Sequence, residues 1–238
     1  MGKGKRIISV MNRKGGCGKS TLVRGLASVA VDRGERVTVF DTDRNQGIYH
    51  WMVGAKNKSN WHEKANVIGT LDAIEVLDGI QKIYDGPDED HLILIDTFGG
   101  GSVAQDEMAM TSHLLISPCR ASDQDVRNTT ETGIWHTQLK ARVSNPEDVP
   151  PFHVIASDVP QKLSETTREQ LQIMMDTLPV LEDFVLTRAC YERMNNHGLL
   201  GIIRDTHPNR GLAPSLNDGI VEMGDLLDVF DEMIKEAE

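Results

Sequence analysis

Apolar residues along the chain follow two rhythms. Five short runs are almost continuously apolar: RIISVM (6–11), RVTVF (36–40), HLILI (91–95), HLLIS (113–117) and FHVIAS (152–157). Runs of this length, rich in Ile and Val, predict strands buried on both faces of a parallel sheet. Between them the spacing turns helical. Residues 20–33 place Leu22, Leu26, Val29 and Ala30 along one stripe, with Gly34 positioned to end the helix. Further helices are predicted near 70–84, 122–142, 164–177, 188–197 and 215–236, and surface loops at 55–66 and 143–151. Strands alternating with helices predict a doubly wound, mainly parallel α/β sheet with helices on both faces and a ligand site at the carboxyl ends of the strands. No repeat, low-complexity stretch or composition shift divides the chain, so residues 1–238 are expected to form a single domain.

The first strand runs directly into NRKGGCGKST (12–21). This is close to the phosphate-loop pattern G-x-x-x-x-G-K-[ST], with Arg13 where the first glycine usually stands. Gly15, Gly16 and Gly18 let backbone N–H groups converge on phosphate oxygens, and the following helix adds the positive end of its dipole. Lys19 is then expected to reach the β- and γ-phosphates, Ser20 to bind Mg²⁺, and Thr21 to contact the α-phosphate. Lys14 to Thr21, with Cys17 at the variable position, form the expected nucleotide cradle. The plain alternative is a glycine-rich turn with a solvated lysine. Phosphoryl transfer also needs a metal carboxylate and a water-orienting group. RVTVF runs into Asp41-Thr42-Asp43 and HLILI into Asp96-Thr97, at the ends where such acids are needed. An acid after a strand can equally cap the following turn, and for any one of them alone that reading stays open.

Composition narrows the partners. The formal charge of −11 argues against a generally basic nucleic-acid binder. The charge is uneven: residues 1–36 carry nine Lys/Arg against Asp32 and Glu35, while 214–238 carry eight Asp/Glu against Lys235. Any DNA contact must therefore be local. Arg188, Arg193, Arg204 and Arg210, near His197 and His207, are candidates, and Lys3, Lys5 and Arg6 could add to them. On one helix Arg188 and Arg193 would stand about 140° apart, too far for a single stripe. No run approaches the ~18 apolar residues of a membrane span, the start lacks a signal-peptide apolar region, and Arg6 breaks the myristoylation pattern. Cys17, Cys119 and Cys190 are widely spaced and odd in number, so neither a disulfide framework nor a zinc cluster is expected. Cytoplasmic location and no membrane insertion are the expectations. The last helix keeps Ile220, Met223, Leu227, Phe230 and Ile234 in helical period with acidic flanks, which predicts packing on the body of the protein.

Lys14 to Thr21 reads K-G-G-x-G-K-[ST]-T and resembles the deviant Walker A motif of the ParA/MinD family of ATPases. That resemblance implies an ATP- and Mg²⁺-dependent homodimer in which Lys14 reaches across to the partner's phosphates. It also makes Asp96 the Walker B aspartate, Asp43 the group that polarises the attacking water, and Asp41 an assistant to the metal. Arg44 and Asn45 replace the family's usual Pro and Gln after Asp43. DTFGGG (96–101) departs from the family's D-T-P-P; its glycines could form a γ-phosphate switch or simply a permissive loop. SPCRASDQDV (117–126) is similar to a family segment in Pro118, Ser122 and Asp125. LPVLEDFVLTRACYERMNNHGLL (178–200), together with D-T-x-G-G at 96–100 and Trp51, resembles the ParA-like subgroup encoded in the virulence C operon of T-DNA transfer. The subgroup implies an ATPase, slow and partner-stimulated, acting with DNA in partition or conjugative transfer alongside a ParB-like, relaxosome or coupling-protein partner.

Two other functions fit the same fold. One is an ATP-dependent ligase of the dethiobiotin synthetase type, for which Lys14 has no use. The other is a nucleotide-binding adaptor with little turnover. No iron–sulfur cluster is expected from Cys119 and Cys190, and Cys17 needs no redox role. The absence of a G-protein-like N-K-x-D leans towards ATP.

Overall fold

The computed structural model describes residues 3–98 and 102–237. The strands are β1 (Lys5–Asn12), β2 (Arg36–Asp41), β3 (Ala65–Gly69), β4 (His91–Phe98), β5 (Leu114–Cys119), β6 (Phe152–Val159) and β7 (Val180–Leu186). They pair in parallel in the order β3-β2-β4-β1-β5-β6-β7. The helices are α1 (Lys19–Asp32), α2 (Gly47–Asn57), α3 (Ala73–Tyr84), α4 (Val103–Met110), α5 (Asp123–Arg142), α6 (Glu165–Thr177), α7 (Ala189–His197), α8 (Leu200–Thr206) and α9 (Ala213–Ala237). Side-chain caps set several of their starts. Asp72, Ser122 and Ser164 accept backbone N–H groups from Ile74, Asp125 and Thr167.

Alternate residues of the central strands serve opposite layers. Ile8, Val10, Leu92 and Leu94 join the core under α1, α2, α7, α8 and α9. Ile7, Phe40, Ile93 and Ile95 pack beneath α3 and α4, and Leu115, Val154 and Ala156 beneath α5 and α6. Because both faces are covered, apolar residues dominate the central strands, and the few polar ones, such as Ser9 and Thr38, are buried with side-chain partners.

All five predicted strands are present, and β3 and β7 are additions at the two sheet edges. β3 has only five residues. β7 carries exposed Glu182 and Asp183, and its pairing with β6 shifts register twice. An edge strand half open to water does not display a continuous apolar run. α2, α4 and α8 were also not predicted. The expected loop at 55–66 is corrected: residues 55–57 complete α2 and 65–66 open β3. Its middle is anchored, with Trp61 edge-on to Trp51 at 5.0 Å and donating to the Ala65 carbonyl at 3.0 Å.

The uneven charge of the chain resolves into contacts between its ends. Arg6, on β1, is 3% exposed; it ion-pairs with Asp231 of α9 and with Glu35 at 2.6 Å. Lys3 lies 2.8 Å from the other Asp231 oxygen, and Arg33 takes both oxygens of Asp228 at 2.7 Å. Arg6 is thereby removed from any nucleic-acid surface, which corrects the sequence expectation. Lys5 donates to the carbonyls of Tyr84 and Gly86. The apolar positions of α9 are buried against α1 and α8, and no helix among the described residues is long and apolar enough to cross a membrane.

Asp231→Ala, which leaves buried Arg6 with Glu35 alone, is expected to cost about 3–5 kcal/mol in urea unfolding. Lys3→Ala, whose ammonium is partly exposed, should stay within about 1 kcal/mol. Equal losses from the two variants would show that the cluster does not hold α9 to β1.

Candidate functional site

The loop between Asn12 and Lys19 turns on glycine. Gly16 and Gly18 adopt φ of +83° and +103°, a left-handed conformation that a side chain would strain. A Cβ on Gly18 would stand 3.2 Å from Ser157 Oγ, and the same hydroxyl donates to the Cys17 carbonyl at 2.7 Å. The loop is thus seated on the end of β6. Lys19 opens α1 with its ammonium 3.1 Å from the Lys14 carbonyl, so the charge sits over the loop and at the helix N-terminus. The Cys17 side chain is buried, and burial raises its thiol pKa, which leaves it a packing group.

Parallel pairing of β2 with β4 sets Asp41 directly beside Asp96. Ser20 Oγ donates to Asp96 Oδ2 at 3.0 Å, while Asp96 Oδ1 is buried without a partner. Burial pushes this carboxyl up to about 7; Lys19 and the Ser20 hydrogen bond oppose the rise, and Asp41 and Asp43 add to it. A deprotonated carboxylate here, beside a hydroxyl and a converging amide loop, fits a divalent cation carried in with a polyphosphate. Among the described residues no three His, Cys, Asp or Glu side chains form a metal cage, so phosphate oxygens and water would supply the remaining ligands.

Asp41 has a structural task in this chain. Its Oδ2 accepts the backbone N–H groups of Ile48 and Tyr49 at 2.8 and 3.0 Å, anchoring the start of α2. This is the capping role that remained open for an acid after a strand, and the charge of Asp41 is also felt at Asp96. Asp43 is half-buried, and its Oδ1 accepts Asn45 N–H at 2.8 Å. With the Gln46 N–H bound to the Asp43 carbonyl and Gln46 at φ +45°, the chain after Asp43 forms a tight turn without the family's proline. Gly99, Gly100 and Gly101 lie outside the described residues.

Lys14 is held within its own chain. Its ammonium lies 2.6 Å from Asp125 Oδ1, and Ser122 Oγ donates to Asp125 Oδ2 at 2.9 Å. Asn12 supports the arrangement: its side chain accepts Lys14 N–H and donates to Ser117, Pro118 and Thr129.

A cavity of about 340 Å³ adjoins Gly18 and Thr21, bounded by Arg120, Asp158, Thr187 and Asn195. Its size suits a nucleoside. Asp158 has φ +54° and is fixed by Thr187 Oγ1 at 2.9 Å and Arg120 at 3.2 Å. Sequence reading missed this pocket because its walls come from four separated segments. Arg24 was missed too: it donates to Gly47 O of α2 at 2.8 Å and to Asn195 of α7 at 2.9 Å, and lies over the Trp51 ring. Asn195 in turn lies 3.5 Å from the Thr21 hydroxyl, linking α7 to the phosphate loop.

The four arginines suggested for DNA do not form one group. Arg188 lines the cavity and pairs with Glu222 at 2.7 Å. Arg204 is held by Asp32 and Asp205. Arg193 and Arg210 have no carboxylate within ion-pair distance among the described residues, and Arg210 reaches the Asp205 carbonyl at 3.0 Å. Lys14, Lys19, Ser20 and Asp96 therefore gather at one sheet edge with Asp43 nearby, whereas Arg204 and Arg210 belong to another surface.

The protein family described as VirC1 protein matches residues 5–227. The virC1 protein of Rhizobium radiobacter is 25% identical over 211 residues, covering 89% of this chain and 88% of that protein. Among solved structures, the MinD cell division protein of Aquifex aeolicus superposes with a TM-score of 0.66 at 15% identity, covering 94% and 97% of the two chains. A plasmid partition protein of Borrelia burgdorferi B31 bound to AMPPNP gives 0.64 at 17% identity, covering 92% and 98%. At these identities the structural likeness establishes the ParA/MinD fold.

Because the folded chain retains the Asp96 proton up to about pH 7 and an unfolded aspartate loses it near 3.8, burying this group weakens the fold progressively across that interval. Asp96→Asn should therefore raise the thermal midpoint of the nucleotide-free protein, by an amount that grows from about pH 4 to about pH 7 and is constant above. Saturating Mg²⁺–ATP should reverse the order and stabilise only the wild type. A stability difference independent of pH would contradict the burial of an ionisable Asp96.

Proposed function

Because this chain belongs to the VirC1 protein family, we propose that it is a ParA-type switch ATPase whose Mg²⁺–ATP form is a homodimer that binds DNA. The observation carrying this reading is the Ser20–Asp96 pair, with the second Asp96 oxygen buried and unpartnered beneath the glycine loop. Ser20, with Asp96 behind it, would hold Mg²⁺, which would supply positive charge to offset that of the phosphates. Backbone amides of residues 15–20 and the Lys19 ammonium hold the phosphate chain, and Thr21 lies at the passage to the nucleoside cavity. Asp43, at the end of β2, orients the attacking water, and hydrolysis yields ADP and phosphate.

Lys14 supports the dimer. In the isolated chain its charge is matched by Asp125, and a second protomer presenting ATP offers a more highly charged partner for the same ammonium. Exchange of Asp125 for phosphate makes nucleotide the link between subunits. The proposed setting is the cytoplasm and the proposed task is DNA partition or T-DNA-like conjugative transfer, with a ParB-like or relaxosome component accelerating a slow basal turnover.

Light scattering with Mg²⁺–ATP should give twice the monomer mass for Asp43→Ala, and monomer with Mg²⁺–ADP. Lys14→Gln should bind nucleotide yet remain monomeric in both. Asp43→Ala is expected to reduce turnover at least ~100-fold. A wild type that stays monomeric with ATP while consuming it in the presence of a small carboxylate would replace the switch with the ligase reading.

A further inference from the structure

We propose that the surface formed by the ends of α2, α7 and α8 is where this protein grips the phosphate backbone of double-stranded DNA. The inference rests on the DNA-binding reading above and assigns it a place. Segments 55–64 and 192–210 together carry six Lys/Arg against three Asp/Glu, in a chain whose formal charge is −11. They meet in space: Lys58 donates to the Asn196 carbonyl at 2.6 Å, Leu199 N–H to the Asn60 carbonyl at 3.2 Å, and Lys58, His197, Thr206 and His207 share one surface hollow.

The charges differ in availability. Arg204 is neutralised by Asp32 and Asp205, Lys64 binds the Gly34 carbonyl, and Lys58 closes the C-terminal end of α7. Lys56 and Arg193 remain without a carboxylate within ion-pair distance among the described residues, whereas Arg210 donates to the Arg204 and Asp205 carbonyls and lies in the field of Asp205. Glu63 and Glu192 are the nearby acids in sequence without a cation of their own. Around these cations stand neutral donors suited to phosphate oxygens: Asn57, Ser59, Asn196 and Asn209, all exposed.

Chemistry favours a polyanion over a protein. A protein-binding patch needs a desolvated apolar centre. None of the exposed large hydrophobic side chains falls within 55–64 or 192–210. The same helix also touches the nucleotide site. Asn195 of α7 stands between Arg24 and Thr21 of α1, one residue from Asn196 and two from Arg193. Asn195 thus joins the nucleotide-site residue Thr21 to the helix that carries Arg193 and Asn196.

The test uses the full chain with Mg²⁺–ATP and a fluorescent random-sequence duplex, read by anisotropy over a salt series. Lys56→Glu/Arg193→Glu is compared with Lys82→Glu/Lys162→Glu, which makes the same charge change at exposed sites elsewhere. Affinity for fluorescent ATP serves to show that both variants are folded. The patch variant should bind the duplex at least ~10-fold more weakly than wild type, with a log–log salt slope shallower by about two. The control pair should stay within about threefold, the effect of net charge alone. If wild type binds and the two variants behave alike, the location is wrong and the DNA reading survives. If wild type ignores the duplex with either nucleotide, the DNA reading itself fails and this inference with it. Binding of polyglutamate at these residues in place of the duplex would overturn the assignment in favour of an acidic protein.

Discussion

The Asp96 carboxylate is the constraint around which the rest is arranged. Three parallel strands deliver Asn12, Asp41 and Asp96 to one edge, and two of these are buried acids in register. Such crowding is tolerable only if each charge has its own compensation. Asp41 is satisfied by two amides at the start of α2, so its negative charge rests on a positive helix end. Asp96 has one hydroxyl and the field of Lys19, and its remaining oxygen has no protein partner. A site so nearly balanced is completed by a cation. The glycine loop and α1 supply the anion-binding half, so that cation and polyphosphate complete it together.

This balance explains which parts of the molecule were legible in the sequence. Central strands are buried on both faces, and each announces itself as an apolar run. β3 and β7 each leave one edge unpaired and admit polar residues such as Glu182 and Asp183, so nothing in a short window separates them from loop. The phosphate loop was readable because its chemistry depends on contiguous residues. Asp41, Asp43 and Asp96 were visible as acids after strands and received separate roles only through the family resemblance, but the hold of Asp41 on the start of α2 was not visible. That hold depends on which backbone amides α2 turns towards Asp41, a matter of tertiary placement. The cavity beside Gly18 and Thr21 was out of reach for the same reason, with Asp158, Thr187 and Asn195 brought together only by the order of β6, β7 and α7.

Charge counting gave a correct asymmetry whose meaning only packing could supply. The basic start of the chain and its acidic end are neighbours: β1 and α1 present Arg6 and Arg33, and α9 answers with Asp231 and Asp228. The apparent basic cluster near the N-terminus is thus consumed inside the protein. Cations with a carboxylate partner hold elements together, and Lys56 and Arg193, on the α2–α7–α8 surface proposed for DNA, are among those without one.

The Lys14–Asp125 pair is modest enough to be exchanged in the proposed dimer. Its side chain is 30% exposed, so its pairing with Asp125, though short, is partly screened by water and is worth on the order of 1 kcal/mol. A stronger resting pair would hold the lysine against any competitor; a weaker one would leave it mobile and costly to order. Asp125 is itself nearly buried and keeps the Ser122 hydroxyl after Lys14 departs, so breaking the pair does not strand a bare buried charge. In the proposed dimer a triphosphate brought by another protomer would carry several charges where Asp125 carries one, and the Coulomb balance at similar distance would favour the exchange. On the proposed reading, the loop would carry both the anchor for its own phosphates, Lys19, and a loosely tethered cation for a second subunit.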